Sequence, residues 1–201
     1  MISTRTKRES LNSPFFYSYC ITDPQEFGSD PISLNHALEK AIHSKQIDFI
    51  CFRDKESRNI LSLAQTVLNI GKKFHIPTLI NTHYDLALEL GFDGVHLTSS
   101  QFEDIQTCKI HNLFTIISCH TTQEIQKAID FGADGVTYSP IFYKENKGEP
   151  KGVKVLKKVV EQFQTENFKI FALGGIVSDD QVNLVKTTKV YGFASIRYFC
   201  S

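Results

Sequence analysis

The sequence has no excess of charge of either sign. Its 22 basic and 22 acidic residues give a formal net charge of 0. A protein that binds nucleic acid or lies on an anionic membrane needs a basic surface, so this balance argues against both partners. The chain also lacks an apolar run near the ~20 residues that cross a bilayer. We therefore expect no nucleic-acid partner and no membrane partner.

Closely spaced cysteines and a signal peptide are absent as well. The five cysteines are odd in number, widely spaced and without a C-x-x-C motif, which argues against both a disulfide framework and a zinc site. We expect reduced thiols and a cytoplasmic protein. Residues 1–13 are polar and basic and lack the apolar core of a signal peptide. We interpret residues 1–13 as a flexible arm and residues 14–201 as a single domain.

Eight short apolar segments alternate with segments at helical spacing. Continuously apolar strands are typical of parallel strands that are buried on both faces, and the alternation indicates βαβ units. Eight units favour an α/β protein of the (β/α)8 TIM-barrel class. No G-x-G-x-x-G motif follows the first strand, which argues against a dinucleotide fold. The predicted strands are residues 17–22, 49–52, 77–80, 94–97, 114–118, 135–139, 170–173 and 191–196.

The last outer helix of this predicted barrel is truncated. Few residues follow the eighth strand, and a missing helix leaves an apolar flank near Tyr198 and Phe199. We expect the N-terminal arm or a partner subunit to cover this flank, which makes a homodimer a hypothesis.

Two adjacent glycines follow the seventh predicted strand. Gly174 and Gly175 lead into Ser178, a good N-cap for the next helix. Bare backbone N–H groups at such a bend can surround a phosphate, and the loops after strands 7 and 8 are the usual phosphate site of a TIM barrel. The alternative is a glycine pair that only turns the chain.

Cationic and polar side chains follow the other predicted strands. The carboxyl ends of barrel strands share one face, so these cations favour an anionic small molecule, whereas solvated loop charges are the alternative. An imidazole at this face can exchange protons near neutral pH. A nucleophile–base pair of Cys119 with its neighbour is disfavoured, because adjacent residues of a strand point in opposite directions. The candidate site residues are Arg53, Lys55, Asn81, Ser118, His120, Lys147 and Arg197, while His96 within the fourth strand is assigned an interior structural role.

A series of segments resembles the thiamine phosphate synthase and TenI family. Between residues 17 and 198 the chain reads, in order, ITD (21–23), FRDK (52–55), DLALELGFDGVHL (85–97), SCHTTQEIQKAIDFGADGV (118–136), SPIF (139–142) and ALGGI (172–176). The resemblance implies a (β/α)8 barrel. Synthases of the family join a hydroxymethylpyrimidine pyrophosphate to a thiazole phosphate and release pyrophosphate with the help of Mg2+.

The resemblance also implies a role for each strand end. The thiazole phosphate would lie at Gly174 and Gly175. Arg197 and Lys144 stand where the family has other phosphate ligands. The pyrophosphate would be held by Arg53, Lys55, Asn81, Ser118 and Lys147.

Two departures from the family pattern concern the metal. Synthases usually have Asn-Asp after the third strand and H-L-G-Q-x-D after the fourth, where this chain has Asn81-Thr82 and a segment that ends in Gln101. Both acidic ligands are therefore replaced by neutral residues. Since Mg2+ prefers carboxylate oxygens, we predict no metal ligand and no cofactor, with Mg2+ needed only if the protein is a synthase.

A lost metal site beside a retained phosphate site is similar to the TenI branch of the family. We therefore predict a TenI-like thiazole tautomerase in which His120 is the acid/base. A divergent thiamine phosphate synthase and a non-catalytic, regulatory barrel are the two alternatives. All three bind a small phosphorylated heterocycle, either thiazole phosphate or thiamine phosphate.

Overall fold

Eight parallel strands close into a barrel in the order of the chain, with the eighth strand paired to the first. The computed structural model describes residues 16–55, 57, 59–143 and 148–200. The predicted (β/α)8 architecture is confirmed. The strands are β1 (Tyr17–Ile21), β2 (Phe49–Phe52), β3 (Thr78–Asn81), β4 (Gly94–Leu97), β5 (Phe114–Cys119), β6 (Gly135–Tyr138), β7 (Lys169–Leu173) and β8 (Gly192–Ser195).

Helices connect the strands on the outside of the barrel. They are α1 (Pro24–Phe27), α2 (Pro31–Ser44), α3 (Ile60–Phe74), α4 (Tyr84–Leu90), α5 (Asp104–Ile110), α6 (Thr122–Asp130), α7 (Gly152–Phe163) and α8 (Asp179–Lys186). The sequence prediction missed α1, because four residues are too few to show a helical period. Asp23 caps α1 and Pro24 occupies its first turn, which is the usual start signal. Within the described residues, no helix is both long and apolar enough to cross a bilayer.

The barrel interior is apolar toward the amino ends of the strands and polar toward their carboxyl ends. Alternate residues of a strand face inward, so Ile116 on β5 is followed inward by Ser118, and Leu79 on β3 by Asn81. The larger apolar layer lies outside the barrel, between the outward strand faces and the helices. This change of polarity places hydrogen-bonding groups at one mouth. The inner apolar cluster is Tyr19, Ile21, Phe49, Cys51, Leu79, Ile116, Phe171 and Ala194.

The amino ends of the strands are held by a repeated carboxylate contact. Asp48, Asp93 and Asp134 each precede an even-numbered strand and accept a hydrogen bond from the backbone of the strand before it, at 2.9, 2.8 and 2.7 Å. At the fourth equivalent position stands Tyr191, whose backbone amide donates to the Gln164 side chain at 2.7 Å. These carboxylates and Gln164 join neighbouring strands at the amino ends, whereas TIM-barrel sites are built at the opposite mouth, which is therefore the candidate site.

The place of the last outer helix is filled by aromatic side chains. After β8 the described part of the chain forms a short 3-10 turn, Arg197–Phe199. The Phe193 ring stacks on Phe16 and Phe199 with centroids 5.6 and 5.8 Å apart, and Tyr198 meets it edge-on at 5.1 Å. The prediction of an exposed flank is wrong at Phe199, which is 2% exposed. The predicted arm, residues 1–13, lies outside the described residues, and the homodimer stays a prediction.

Candidate active site

Arg53 follows β2 and is fixed by residues that follow β1. Its backbone amide donates to the Thr22 hydroxyl at 2.9 Å, and its guanidinium Nη1 lies 2.5 Å from Asp23 Oδ2. Both charged side chains are roughly a quarter exposed, so the ion pair lies at the rim of the mouth. A guanidinium carries five N–H donors, and the Asp23 contact uses one of them. Arg53 is therefore oriented and still has donors for a ligand. Lys55, two residues further on, is exposed.

Asn81 ends β3 and is tied to β4. Its side-chain Nδ2 donates to the His96 carbonyl at 2.6 Å, and the Thr82 amide donates to the same carbonyl at 3.0 Å. Thr82 has φ +72°, and the His83 amide bonds back to the Asn81 carbonyl at 2.8 Å, which is a tight three-residue turn. A positive φ is a genuine outlier for a β-branched residue, and such strain concentrates at functional sites.

His96 lies inside the barrel, as the sequence suggested. Its Nδ1 is 3.2 Å from the Tyr19 hydroxyl, and its Nε2 is 3.1 Å from Ser118 Oγ and 3.2 Å from Thr137 Oγ1. Burial, and secondarily the positive charge of Arg53, lowers the pKa of His96 to about 4. The imidazole is thus neutral at physiological pH. Ser118 is half-buried and lies between this histidine and the mouth.

His120 follows β5 and contacts the end of β6. Its Nδ1 lies 3.2 Å from both the hydroxyl and the carbonyl oxygen of Ser139. Its backbone amide donates to Glu124, which with Thr121 forms the capping box of α6. The imidazole is therefore anchored at one nitrogen while the residue remains exposed. Cys119 is fully buried and burial raises the pKa of its thiol, so the neighbouring cysteine is not an activated nucleophile.

Gly174 and Gly175 form the bend after β7. Their φ angles are +99° and +71°, and a side chain at either position would collide with the β6 loop. A Cβ on Gly174 would lie 2.8 Å from the Pro140 Cα, and one on Gly175 would lie 2.5 Å from the Tyr143 carbonyl oxygen. Neither glycine amide donates to an acceptor in the described part of the chain. The bend thus presents two amides of half-buried glycines that have no acceptor among the described residues, which suits a phosphate site.

These contacts join the strand ends into one mouth. Ser139, which meets His120, directly precedes Pro140, which packs on Gly174, so the acid/base candidate and the glycine bend are neighbours. From β8, the Ser195 hydroxyl donates to the Ile176 carbonyl at 2.7 Å and fixes the far side of the bend.

Among the described residues, the predicted ligand Arg197 pairs with a residue after β1 instead of with the bend. Arg197 is 72% exposed and its Nε lies 3.1 Å from Glu26 Oε1, after β1. Lys147 and Lys144 lie outside the described residues. The binding roles of all these side chains remain predictions.

The residues at the expected metal positions do not fit Mg2+. The Gln101 amide oxygen accepts from the backbone and hydroxyl of Thr98, and its Nε2 donates to the Thr82 carbonyl and to Asp104, at 3.0–3.2 Å. This neutral side chain is fully occupied as a link between the β3 and β4 loops. Among the described residues, no three His, Cys, Asp or Glu side chains are grouped to hold a metal ion. A single carboxylate, Asp104, is a poor substitute for the expected pair.

Three partners of the site were missed by sequence reasoning. Asp23 orients Arg53, Ser139 anchors His120, and Tyr19 bonds His96. Asp23 and Ser139 lie within the ITD and SPIF segments, so their position at strand ends was a usable signal. Tyr19 had no such signal, because it reads as an ordinary apolar strand residue.

Sequence comparisons with known proteins point to one family, and a solved structure shares the fold. A family model described as thiamine monophosphate synthase matches residues 18–199. A putative thiamine-phosphate synthase 2 of Aquifex aeolicus is 31% identical over 185 residues, covering 90% of this chain and 96% of that protein. A thiamine-phosphate synthase of Halalkalibacterium halodurans is 34% identical over 168 residues, or 80% and 77% of the two chains. The solved thiamine phosphate pyrophosphorylase of Pyrococcus furiosus superimposes with TM-score 0.77 at 24% identity, covering 90% and 85%.

Proposed function

Because the chain belongs to the thiamine monophosphate synthase family, we propose that it is a thiamine-phosphate synthase that joins a pyrimidine pyrophosphate to a thiazole phosphate. One observation supports the proposal: hydrogen-bond donors lie at two places of the mouth. Arg53 follows β2, Asn81 and Ser118 lie at the carboxyl ends of β3 and β5, and the glycine bend follows β7. A reaction of two phosphorylated substrates needs two such places, whereas a tautomerase acting on one phosphate needs one.

The relatives also favour the synthase over the tautomerase that the sequence alone suggested. The relatives named above are thiamine-phosphate synthases, and their similarity spans most of this chain. The neutral residues Thr82 and Gln101, which stand where synthases usually have acidic Mg2+ ligands, favour the tautomerase instead.

The donors at the ends of β2, β3 and β5 suit the leaving pyrophosphate. In the proposed reaction the bond between the pyrimidine methylene carbon and the pyrophosphate oxygen breaks, and the electron pair leaves with the oxygen. The thiazole nitrogen donates its lone pair to form the new carbon–nitrogen bond. Donors aimed at the developing negative charge lower the barrier, and Arg53 and Ser118 are such donors. Lys55 adds a second cation at the same edge.

The glycine bend suits the thiazole phosphate. Its backbone amides can donate to phosphate oxygens without a side chain in the way, and Pro140 packed against Gly174 keeps the bend in place. His120 lies next to this bend through Ser139. The thiazole ring would therefore lie between the bend and Ser118, with its nitrogen toward the pyrimidine.

No step of this proposal passes through a metal ion. The residues at the expected metal positions do not fit Mg2+, so Arg53 and Lys55 are left to neutralise the negative charge of the pyrophosphate. Comparing the reaction in Mg2+ and in a chelator tests whether an ion bound to the substrate contributes to the rate.

The test is release of pyrophosphate from the two purified substrates, measured in Mg2+ and in a chelator. We expect release that requires both substrates, and a Ser118→Ala variant slower by roughly 100-fold, the size expected for loss of one donor to a developing charge. The matched control is Ser62→Ala, a serine on helix α3, which should keep the wild-type rate. No release above the uncatalysed rate in either condition would overturn the synthase proposal.

A thiazole tautomerase is the second candidate, and the geometry of His120 favours it. Its imidazole is held at Nδ1 by Ser139 beside the glycine bend, which suits an acid/base next to a bound phosphate. Isomerisation of a thiazole carboxylate phosphate by the wild type, lost in His120→Ala, would select this function. Isomerisation at the wild-type rate in that variant would remove His120 as the acid/base. Saturable thiazole-phosphate binding without either turnover would indicate the regulatory alternative.

A further inference from the structure

A chain of hydrogen bonds runs from the centre of the barrel to the mouth. It begins at the Tyr19 hydroxyl, passes through both ring nitrogens of His96 and ends at Ser118 Oγ, with distances of 3.2 and 3.1 Å. Tyr19 is 0% exposed and His96 is 3% exposed, so both are shielded from solvent. Neither residue is used by the proposed reaction.

The protonation states along this chain are fixed by burial. Burial and the Arg53 charge keep His96 neutral, so its ring carries one N–H. Burial also raises the pKa of the Tyr19 hydroxyl well above its usual value, and raises that of the adjacent Cys51 thiol to about 12. All three groups are therefore uncharged, and only the position of the imidazole hydrogen is left to determine.

The Tyr19 hydroxyl determines that position. Its hydrogen needs a buried acceptor, and the strong acceptor within reach is His96 Nδ1, because the Cys51 sulfur is a weak one. If Nδ1 accepts, the imidazole hydrogen is on Nε2. The opposite tautomer would leave the phenolic hydrogen to the sulfur, which is the costlier arrangement for a buried donor.

An N–H at Nε2 in turn fixes the direction of the Ser118 hydroxyl hydrogen. The single N–H of Nε2 is then shared between Ser118 Oγ at 3.1 Å and Thr137 Oγ1 at 3.2 Å, and the Thr137 hydroxyl donates to Ser118 Oγ at 3.5 Å. With its acceptor sites engaged by these interior donors, the serine hydroxyl directs its own hydrogen toward the mouth. That is the orientation in which it can donate to an anion.

We propose that Tyr19 and His96 are positioning residues that hold Ser118 as a hydrogen-bond donor to the anionic group of the substrate. The inference rests on the proposed function for the identity of that group. This role explains why a tyrosine and a histidine are buried at the centre of the barrel, where apolar side chains would need no hydrogen-bond partners.

The first test reads the tautomer directly. In the 15N-labelled protein, imidazole nitrogen shifts distinguish an Nε2–H ring from an Nδ1–H ring. We expect the Nε2–H form of His96 throughout pH 6–8 in the wild type. In Tyr19→Phe, which keeps the ring and removes the hydroxyl, we expect both forms. An Nδ1–H ring in the wild type would overturn the proposal even if the protein binds substrate normally.

The second test measures the coupling to Ser118 with inorganic pyrophosphate as the probe. Tyr19→Phe should weaken pyrophosphate binding roughly 10-fold, the worth of one well-placed hydrogen bond. In a Ser118→Ala background the same change should have no further effect. An equal loss in both backgrounds would mean a general structural role and overturn the proposal. Failure of the wild type to bind pyrophosphate would instead overturn the proposed function, and with it the assigned ligand of Ser118.

Discussion

His96 shows how burial at a single residue fixes a charge state inside the barrel. Its neighbours are the uncharged Tyr19, Cys51, Ser118 and Thr137, together with the cation of Arg53. Burial of the ring, and secondarily repulsion by Arg53, disfavours an imidazolium. The residue is therefore held in the state in which one nitrogen accepts and the other donates.

This depressed pKa predicts a pH-dependent stability. In the unfolded chain His96 binds a proton near pH 6.5, and in the folded chain only near pH 4. As pH falls between these values the unfolded state takes up the proton and the folded state does not. The free energy of unfolding should therefore fall by about 3 kcal/mol across this window, and this contribution is intact above pH 6.5.

Urea unfolding at pH 7 and pH 4 measures the effect, with His96→Gln as the matched variant. A glutamine amide can accept from Tyr19 and donate to Ser118 but does not titrate. The variant should lose less stability on acidification than the wild type by about 3 kcal/mol. Equal losses in the two proteins would show that His96 does not carry this dependence.

At the residue scale, strand-end residues were predictable and their partners were not. Asn81, Ser118 and His120 were found because a polar residue at the carboxyl end of an apolar barrel strand lies at the mouth where TIM-barrel sites are built. Asp23 and Ser139 are 30 and 19 residues away from the side chains they hold. Such pairings depend on how strands align with each other, which a single sequence does not encode locally.

At the scale of the element, the bend after β7 depends on backbone conformation rather than on side chains. Gly174 and Gly175 both have positive φ, and α8 is then capped by Ser178, whose hydroxyl accepts from the Gln181 amide at 3.4 Å. The predicted cap at Ser178 is confirmed.

Gly175→Ala should therefore be more destabilising than a glycine replacement elsewhere. Gly91 is the matched control, because its φ is +80° but a Cβ there meets nothing within 4 Å. A left-handed alanine costs about 1–2 kcal/mol at either position. At Gly175 the collision with Phe142 and Tyr143 should add at least about 1 kcal/mol. Denaturant unfolding compares the two variants, and equal losses would contradict the close approach of the β6 loop.

The helices and strands were predicted well because apolar residues recur with different periods in the two kinds of element. The bounds of the eight predicted strands agree with the structure within one residue. The third strand was predicted from Pro77 but begins at Thr78, because proline has no N–H to donate to the neighbouring strand. Helix α1 was missed since its four residues show no period.

At the scale of the whole molecule, eight strands close the barrel although the last outer helix is reduced to a 3-10 turn. The closure was predictable from the number of βα units. The covering of Phe193 by Phe16 and Phe199 was not, because it brings together aromatic residues from both ends of the domain. The same closure brings Arg53, Asn81, Ser118 and the glycine bend to one mouth.

Calorimetric titration with thiazole phosphate tests this account most directly. We predict saturable binding at one site by the wild type and by Gly91→Ala, and at least roughly 10-fold weaker binding by Gly175→Ala, which displaces the amides proposed to hold the phosphate. Absence of saturable binding by the wild type, or equal affinity in all three proteins, would contradict the claim that the bend after β7 holds a phosphorylated heterocycle.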